Sequence, residues 1–219
     1  MRIATWNVER LRHRRDIDTM LLEINKADAD ILVLTETDTR LDPCFPHCYH
    51  TRPLYESNPR YYADTENRVS VYSRYKCLKQ HETYDAYTSI CVELETDRGN
   101  LLVYGTIMGV LGNREASFKT DLRAQMADIR RLSAQGNRLC VVGDYNLSFC
   151  DSYYYTREGR ALVENTFRDY GIEILTRDRR ECVDHIALTA GFADSVACIG
   201  EWNTDKRLSD HKGIVIETA

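Results

Sequence analysis

The stretch Val141-Val142-Gly143-Asp144-Tyr145-Asn146 decides how the chain folds. It closes an apolar run that begins at Leu139, and a short apolar run bounded by polar residues is typical of a buried strand. The strand then ends on a carboxylate at Asp144 and an amide at Asn146. The pattern therefore predicts a buried strand that places two oxygen-bearing side chains at one edge of a sheet.

Acidic, amide and histidine side chains also lie at the ends of other candidate strands, far apart in the sequence. They are Asn7, Glu9, Glu36, Asp184, His185, Asp210 and His211. Because a sheet gathers the ends of its strands at one rim, we expect these residues to meet. Converging carboxylates without lysines repel one another, and a hard divalent cation with oxygen ligands relieves that repulsion. The spacing therefore predicts a Mg²⁺ or Mn²⁺ site with open positions for water and phosphate oxygens, which suits phosphoester chemistry.

Short apolar runs alternate with amphipathic stretches along the whole chain, without an internal repeat. The strand candidates are residues 3–8, 31–35, 69–73, 89–95, 101–107, 139–143, 183–188, 195–199 and 213–217. The helix candidates are residues 16–26, 117–132 and 158–170, with Ser117 as the N-cap of the second. Few helices and many strands indicate a single α+β domain over residues 1–219, built from stacked sheets with helices outside.

Two connections refine this arrangement. Residues 69–73 and 89–95 are expected to be antiparallel neighbours in one sheet, because their connection is too short for a full crossover helix. All four prolines, at positions 43, 46, 53 and 59, lie between the second and third strand candidates, which predicts an irregular and functional loop there. A parallel Rossmann arrangement is disfavoured.

Composition excludes several classes of protein. With 219 residues and 43% hydrophobic content the chain can bury a core without disulfides, and its net charge of −5 excludes a basic nucleic-acid coat protein. No apolar run approaches the ~20 residues that span a bilayer, and the N-terminus does not resemble a signal peptide. The eight cysteines are interpreted as reduced thiols, with Cys91, Cys140 and Cys198 acting as small hydrophobic residues. We expect a cytoplasmic monomer without integral membrane association.

Five short motifs occur in order and span nearly the whole chain. They are Thr5-Trp6-Asn7-Val8-Glu9, Leu34-Thr35-Glu36-Thr37, Gly143-Asp144-Tyr145-Asn146, Val183-Asp184-His185-Ile186 and Ser209-Asp210-His211. Together they resemble the ordered motifs of the endonuclease/exonuclease/phosphatase superfamily, the group that is like exonuclease III and deoxyribonuclease I. The resemblance implies a four-layer α/β/β/α sandwich of two packed, mainly antiparallel sheets with outer helices and the site at one end.

The resemblance also implies a metal site and a catalytic set. Glu36 would be the principal metal ligand, and three residues would lie near the ion: Asn7, Glu9 and Asp210. Asp144 would orient or deprotonate the attacking water, and Asn146 would hold that water or a phosphate oxygen. Because Asp144 shares the site with a cation, we expect it to stay ionised.

The remaining implied roles concern the histidine. Asp184 would orient the imidazole of His211, and His211 would contact the scissile phosphate, with Asn7 also counted among the catalytic residues. A carboxylate beside His211 raises the pKa of the imidazole and keeps it protonated near neutral pH. A charged imidazole and a metal ion together neutralise the non-bridging oxygens as the transition state develops.

One position departs from the family pattern. Many members have a histidine or tyrosine on the strand that matches residues 101–107, where this chain has Ile107. An aliphatic side chain cannot donate to a leaving group, so unless another donor substitutes, either turnover is slow or the leaving group needs little help. The candidates are a water on the metal, Tyr104, and Asn113 or Arg114 just downstream, and we include Tyr104 and Arg114 among the expected substrate contacts.

The basic run after the first strand and the tyrosine run after Asn146 each have two interpretations. Arg10, Arg12, Arg14 and Arg15 either draw anionic substrate inward, with Arg10 as a substrate contact, or form a solvated helix start. The three tyrosines at 153–155 either stack on bases or cover an apolar headgroup, or they simply pack. Neither run identifies a substrate.

Histidines and cysteines outside the catalytic motifs are given structural roles. Residues 44–50 contain four possible zinc ligands, but they are too crowded for tetrahedral capture of one ion by all four. His185 is expected to be structural, because the resemblance gives the role at this motif to Asp184.

These patterns predict a metal-dependent phosphoester hydrolase, with a nuclease-like phosphodiesterase acting on nucleic acid favoured. The acidic composition keeps a lipid headgroup or another small phosphoester open as the substrate, because nucleic-acid affinity depends on Lys and Arg contacts. A third hypothesis, based on Ile107, is a binding module of the same fold that has lost catalysis. Serine-nucleophile, Walker, dinucleotide-binding and Cys-x-x-Cys motifs are absent from the sequence, which argues against those chemistries.

Overall fold

The computed structural model describes residues 1–12, 16–192 and 195–219, and this part of the chain contains twelve strands and three helices. The strands are β1 Arg2–Asn7, β2 Ile31–Asp38, β3 His47–His50, β4 Glu66–Ser73, β5 Cys77–His81, β6 Ser89–Thr96, β7 Gly99–Ile107, β8 Leu139–Asp144, β9 Ile172–Ile174, β10 Asp184–Thr189, β11 Val196–Trp202 and β12 Gly213–Thr218. The helices are α1 Ile17–Lys26, α2 Ser117–Ser133 and α3 Arg157–Asp169. Every predicted strand and helix is present, with its ends shifted by a few residues.

The strands form two sheets of six. One sheet has the spatial order β11-β12-β1-β2-β4-β3 and the other β5-β6-β7-β8-β10-β9. Among the described strands, β1 and β2 pair in parallel in the first sheet and β7 and β8 in the second, while the other neighbours are antiparallel. Each parallel pair is joined by a connection that contains a helix, α1 or α2, because parallel neighbours need a crossover. This confirms the predicted α+β fold of two mainly antiparallel sheets.

Helices cover the outer faces of both sheets. Met20 and Ile24 of α1 pack against the first sheet in a buried cluster with Trp6. Leu122 of α2 and Val163 of α3 belong to the corresponding cluster on the second sheet. The layers therefore run helix, sheet, sheet, helix, with each helix burying the apolar side that its sequence periodicity indicates.

Alternate residues of the facing strands fill the space between the sheets. One buried cluster joins residues of both sheets, among them Ile3, Val33, Val69, Val103, Val142 and Ile186. The sheets come very close at Gly105 on β7, where an added Cβ would lie 2.9 Å from Val69 Cγ1 and 3.3 Å from Val33 Cγ1. The side chains of the first sheet therefore press against the backbone of the second.

The predicted pairing of residues 69–73 with residues 89–95 is wrong. β4 and β6 lie in opposite sheets, and their apolar residues, such as Val71 and Val92, meet in the cluster between the sheets. β6 instead pairs with β5, the strand just before it in the chain. Most residues of β4 and β6 are buried on both faces, so the sequence pattern could not show which strands lie side by side.

The sequence did not predict three short strands at sheet edges. β3, β5 and β9 have four, five and three residues and are partly exposed, so they lack a long apolar run. β3 passes through the proline-rich segment, which is therefore not wholly irregular. Ser117 is the first residue of α2 rather than its N-cap; Ala116 precedes the helix and no side chain caps it.

The substitution Gly105→Ala tests the close approach of the sheets. The added methyl group would press into Val69, and overpacking of this kind costs about 1–3 kcal/mol of unfolding free energy. Val69→Ala removes the methyl groups in the way, so we expect the double variant to be less destabilised than the sum of the single variants. Urea denaturation of the four proteins measures this coupling, and strictly additive losses would contradict the packing.

Candidate active site

The apolar layer between the sheets gives way to polar side chains at one end of the sandwich. On β8 the alternating buried residues are Cys140, Val142 and then Asp144, and Asp184 on β10 is the register partner of Asp144. Asn7, the last residue of β1, donates from Nδ2 to Asp144 Oδ2 at 3.2 Å and links the two sheets. The structure thus brings Asn7 together with two buried carboxylates.

The imidazole of His211 lies against these carboxylates. Its Nδ1 is 2.6 Å from Asp184 Oδ2, and its Nε2 is 3.5 Å from Asp210 Oδ1. Burial lowers the pKa of His211, but the charge of Asp184 and the hydrogen bond to it, with help from Asp144 and Asp210, raise the pKa to about 10. The ring is therefore a cation at neutral pH, with both nitrogens acting as donors.

Hydrogen bonds fix the loop that carries His211. Asn203 Nδ2 donates to the carbonyl oxygens of Ser209 and His211 at 2.7 and 2.6 Å, and Trp6 Nε1 donates to the second of these at 3.0 Å. Ser209 Oγ donates to the carbonyl oxygen of Asn7 at 2.6 Å and accepts the His211 N–H at 3.1 Å. Asn203 was not predicted from the sequence, because the strand before it runs to Trp202 rather than ending at residue 199.

The backbone beside Asp144 requires glycine. Gly143 has a φ of +135°, and a Cβ there would lie 2.1 Å from the carbonyl oxygen of Thr106. Asn146 also has a positive φ, of 51°, and its N–H donates to Asp144 Oδ1 at 2.8 Å. Both carboxylate oxygens of Asp144 are therefore held, one by Asn146 and the other by Asn7.

The pKa of Asp144 is raised. Burial is the largest cause, and the charges of Asp184 and Glu36 add to it, while the attraction of His211 acts in the opposite direction. Together they raise the pKa of Asp144 to about 7, so near neutral pH the carboxyl group is poised between its protonated and ionised forms. The expectation that Asp144 stays ionised beside a bound cation stays a prediction.

Glu36 carries a carboxylate without a partner among the described residues. It has a φ of +49° inside β2, at a point that the register with β4 omits. A left-handed residue within a strand is strained, and such strain collects at functional sites. The carboxylate makes no hydrogen bond or ion pair with the described residues, yet its charge raises the pKa of Asp144. An unpaired carboxylate beside two others is suited to hold a cation.

The family assignment rests on a sequence match that covers most of the chain. The model of the Endonuclease/Exonuclease/phosphatase family matches residues 4–211. The chain belongs to this family. No curated protein matches the chain in sequence. Family membership supports the hydrolysis of a phosphoester.

Solved structures with the same fold cover the whole chain. A 3′-5′ exonuclease from Neisseria meningitidis is 20% identical with a TM-score of 0.67, over 100% of this chain and 99% of that chain. A 3′ phosphatase from Neisseria bound to a product DNA hairpin is 20% identical with a TM-score of 0.65, over the same shares. An AP endonuclease from Archaeoglobus fulgidus is 15% identical with a TM-score of 0.70, again over 100% and 99%. At these identities the likeness shows the fold.

In this member of the endonuclease/exonuclease/phosphatase family, two of the expected metal ligands, Glu9 and Asp210, differ in how they are held. Glu9 Oε2 accepts the backbone N–H of Asp210 at 3.0 Å, and Oε1 lies 3.2 Å from Arg12 Nη1. The side chain of Asp210 is 68% exposed. In the described part of the chain no three His, Cys, Asp or Glu side chains are grouped to hold a metal ion. Glu9 fastens the turn after β1 to the loop before β12, and the metal-ligand roles of Glu9 and Asp210 stay predictions.

The residues that remain still fit a magnesium-type ion. Mg²⁺ is usually held by one or two carboxylates together with waters and substrate phosphates. Glu36 supplies an unpaired carboxylate, and Asn7 Oδ1, which accepts the Glu9 N–H at 2.9 Å, has a second lone pair. Asp184 Oδ1 is buried without a hydrogen-bond partner, so the protein leaves an acceptor unsatisfied at this site.

Two of the expected substrate contacts are engaged elsewhere. Tyr104 is fully buried under α2, where its hydroxyl donates to Asp128 Oδ2 at 3.1 Å, so its assignment as a substrate contact is wrong. Arg10 donates to Glu66 from two nitrogens and lies 4.7 Å from the ring centre of Tyr62, so it holds the turn after β1.

The other arginines of the basic run add little to the site. Arg12 is paired with Glu9, and Arg14 and Arg15 lie outside the described residues. Arg114 is exposed on the loop between β7 and α2, next to Asn113, whose Nδ2 donates to the carbonyl oxygen of Asn146 at 2.8 Å. Arg114 is therefore the predicted substrate contact whose guanidinium group is still accessible.

Ile107 lies where the departure from the family pattern matters most. It is buried and is the register partner of Asp144 on the neighbouring strand. The place beside the buried carboxylate is therefore taken by an aliphatic side chain that donates no hydrogen bond.

His185 has the structural character that the sequence indicates, and residues 44–50 lie at the edge of the first sheet. Both ring nitrogens of His185 are hydrogen-bonded, at 3.0 and 2.9 Å, and burial lowers its pKa to about 4, so the ring is neutral. In residues 44–50 both cysteines are exposed, and His50 Nδ1 lies 2.7 Å from Ser70 Oγ.

The substitution Asp184→Asn tests what keeps the imidazole charged. In the wild type we expect His211 to remain protonated through neutral pH, because Asp184 outweighs burial. Without that charge the pKa falls, and the ring loses its proton at a lower pH. An NMR titration of the histidine ring nitrogens measures this, with His185 as the internal reference that stays neutral. A wild-type His211 that titrates near the unperturbed value of about 6.5 would contradict the assignment.

Proposed function

We propose that this chain is a divalent-metal-dependent phosphodiesterase of the nuclease type, which cleaves its substrate by in-line attack of water. The observation that carries the proposal is the meeting of a protonated imidazole, a buried carboxylate and an unpaired carboxylate at one end of the sandwich. They belong to His211, Asp144 and Glu36. Hydrolysis of an anionic ester needs a cationic donor, a proton acceptor and a cation ligand, and these three residues supply them.

His211 acts on the phosphate. Its Nδ1 donates to Asp184, which leaves Nε2 to donate to a non-bridging oxygen as negative charge develops there. Asp184 is a positioning residue in this scheme, because it acts through the imidazole. A preorganised donor of this kind contributes about 10²–10³-fold in rate.

Asp144 accepts the proton of the attacking water. Its raised pKa lies closer to the operating pH than that of an ordinary aspartate, which suits a general base. Asn146 Nδ2 donates to the carbonyl oxygens of Met108 and Gly109 at 3.1 and 3.2 Å, so its Oδ1 is the end left for the substrate side. Because Oδ1 is an acceptor, Asn146 is suited to hold the water rather than a phosphate oxygen.

Glu36 and Asn7 are the residues that would hold a Mg²⁺ or Mn²⁺ ion, and when bound it supplies positive charge to the non-bridging oxygens. The need for a cation follows from the protein charges. Glu36 adds a negative charge beside Asp144 that no described group balances, and it would repel an approaching phosphate.

Assistance to the leaving group is limited. Ile107 occupies the place beside Asp144 without a donor, and Tyr104 is buried away from it. Arg114 can offer its charge to the leaving oxygen or to a neighbouring phosphate, but arginine does not give up its proton. The leaving oxygen therefore takes its proton from solvent, and esters with stable leaving groups should be the better substrates.

Two classes of substrate are favoured by different observations. The similar Neisseria phosphatase that holds a product DNA hairpin supports nucleic acid. The net charge of −5 supports the alternative of a lipid headgroup or another small phosphoester, since the 34 Asp and Glu residues outnumber the 29 Lys and Arg residues that could bind a polyanion. Parallel assays on single-stranded DNA, duplex DNA, RNA and phosphorylated headgroups separate them.

We further propose that the protein is a monomer of the cytoplasm. The seven cysteines whose side chains the structure describes are free thiols, which supports a reducing compartment. None of the helices in the described residues combines the length and apolar character that crossing a membrane requires.

The substitution Glu36→Gln tests the metal assignment. It removes the charge but keeps the shape, so we expect Mn²⁺ affinity, measured by calorimetric titration, to fall by at least about tenfold. Hydrolysis of a single-stranded oligonucleotide in the presence of Mg²⁺ or Mn²⁺ should fall by about 100-fold or more. Glu95→Gln, an exposed glutamate on β6, is the matched control. Unchanged metal affinity and activity in Glu36→Gln would reject both the metal dependence and the assignment of Glu36 as the metal ligand.

A further inference from the structure

A cavity of about 350 Å³ opens beside the catalytic residues. Asn146, Asp184 and His211 line it together with Tyr153 and Lys206. This volume is at the lower end of the range of about 300–1,000 Å³ that small-molecule sites occupy. The cavity is therefore large enough for one small group next to the phosphate, but not for a duplex.

Tyr153 and Lys206 join two loops across this cavity. Lys206 Nζ lies 2.7 Å from Tyr153 Oη and 4.6 Å from the centre of its ring. Lys206 has a φ of +56°, so the backbone is held in the left-handed region at the residue that presents the ammonium group. The ammonium group keeps two N–H donors without a partner among the described residues, and the ring is 47% exposed.

The loop that carries Tyr153 is fixed before any ligand binds. Ser148 and Tyr154 exchange hydrogen bonds, with the Ser148 N–H donating to the Tyr154 carbonyl at 2.6 Å and the Tyr154 N–H donating to Ser148 Oγ at 3.1 Å. Asp151 accepts the N–H of Tyr153 at 3.0 Å and that of Glu181 at 2.7 Å. The tyrosine face is therefore preorganised, which reduces the entropy cost of binding a flat ring.

The cavity lining also offers a hydrogen-bond acceptor. Glu181 lines the cavity with an exposed carboxylate that makes no hydrogen bond or ion pair with the described residues. Lys212 also lines it, but its ammonium group donates to the carbonyl oxygen of Arg180 and to Glu201. A flat aromatic face, a partnerless acceptor and a cation with open donors match a nucleoside that carries a phosphate. An acyl chain would leave these polar groups unpaired.

We propose that this cavity is a subsite for one nucleoside of the substrate. The scissile phosphate lies at His211, the base stacks on Tyr153, and the next phosphate along the strand is bound by Lys206. The proposal rests on the phosphodiesterase function proposed above and specifies its substrate. A base that is stacked and paired within a duplex cannot enter such a cavity, so the substrate is a single strand or an unpaired terminal nucleotide.

Ligand binding tests the subsite without relying on turnover. Thymidine 3′,5′-bisphosphate carries a phosphate on both sides of the nucleoside, and thymidine 5′-monophosphate carries only one. We expect calorimetry to show at least tenfold tighter binding of the bisphosphate to the wild type, and Lys206→Met to abolish that difference. Tyr153→Ala should weaken both ligands at least tenfold, since base stacking is lost.

Matched controls lie next to each residue. Tyr155→Ala removes a neighbouring tyrosine that packs against Arg160 and does not line the cavity, and Arg207→Met removes a neighbouring cation paired with Asp205. Both controls should bind the two thymidine ligands as the wild type does. Control variants that weaken binding as much as Tyr153→Ala and Lys206→Met would overturn the proposal. The proposal would also be overturned if the wild type bound inorganic phosphate or inositol 1,4-bisphosphate as tightly as thymidine 3′,5′-bisphosphate.

Hydrolysis assays distinguish a wrong subsite proposal from a wrong proposal of phosphodiesterase activity. The ratio of kcat/KM for a single-stranded oligothymidylate to that for bis(p-nitrophenyl) phosphate, which has no nucleoside, should fall at least tenfold in Tyr153→Ala and in Lys206→Met. An unchanged ratio in active variants overturns the subsite alone. A wild-type protein that hydrolyses neither ester in Mg²⁺ or Mn²⁺ overturns the phosphodiesterase function.

Discussion

Two buried carboxylates side by side are the constraint on which the site depends. Asp144 and Asp184 are register partners on adjacent strands, and each is at most 3% exposed. Like charges in a medium of low dielectric constant cannot both remain ionised without a nearby cation. The imidazole of His211 supplies that positive charge on one side, and the carboxylates in turn raise its pKa. Removing one partner of such a buried pair costs about 3–5 kcal/mol, so the arrangement is also part of the stability of the fold.

The rest of the fold can be understood as support for that arrangement. The apolar layer between the sheets ends at the carboxylates, and Asn7 crosses from one sheet to hold Asp144 on the other. Glu9 and Ser209 tie the first strand to the loop before the last one, which sets His211 in place although it is about 200 residues away along the chain. The carboxylate of Glu36 differs from the others because no group in the described part of the chain balances its negative charge.

The sequence predicted the architecture well because long buried strands and amphipathic helices have strong patterns. It failed for β3, β5 and β9, which are short edge strands, and for the neighbour of β4, because two-sided burial removes the alternation that indicates a face. It named Asp144, Asp184 and His211 from motifs, and the structure gathers them. It could not foresee that Glu9 bonds to a backbone N–H, that Arg10 pairs with Glu66 or that Tyr104 faces α2, since these depend on contacts between distant residues.

Anomalous diffraction from crystals soaked with Mn²⁺ and a nucleotide 5′-monophosphate tests the central claim most directly. We predict a manganese peak at the carboxylate of Glu36, with the phosphate lying between that ion and Nε2 of His211. A manganese peak at Glu9 and Asp210 with no ion at Glu36, or a phosphate bound away from His211, would contradict the account.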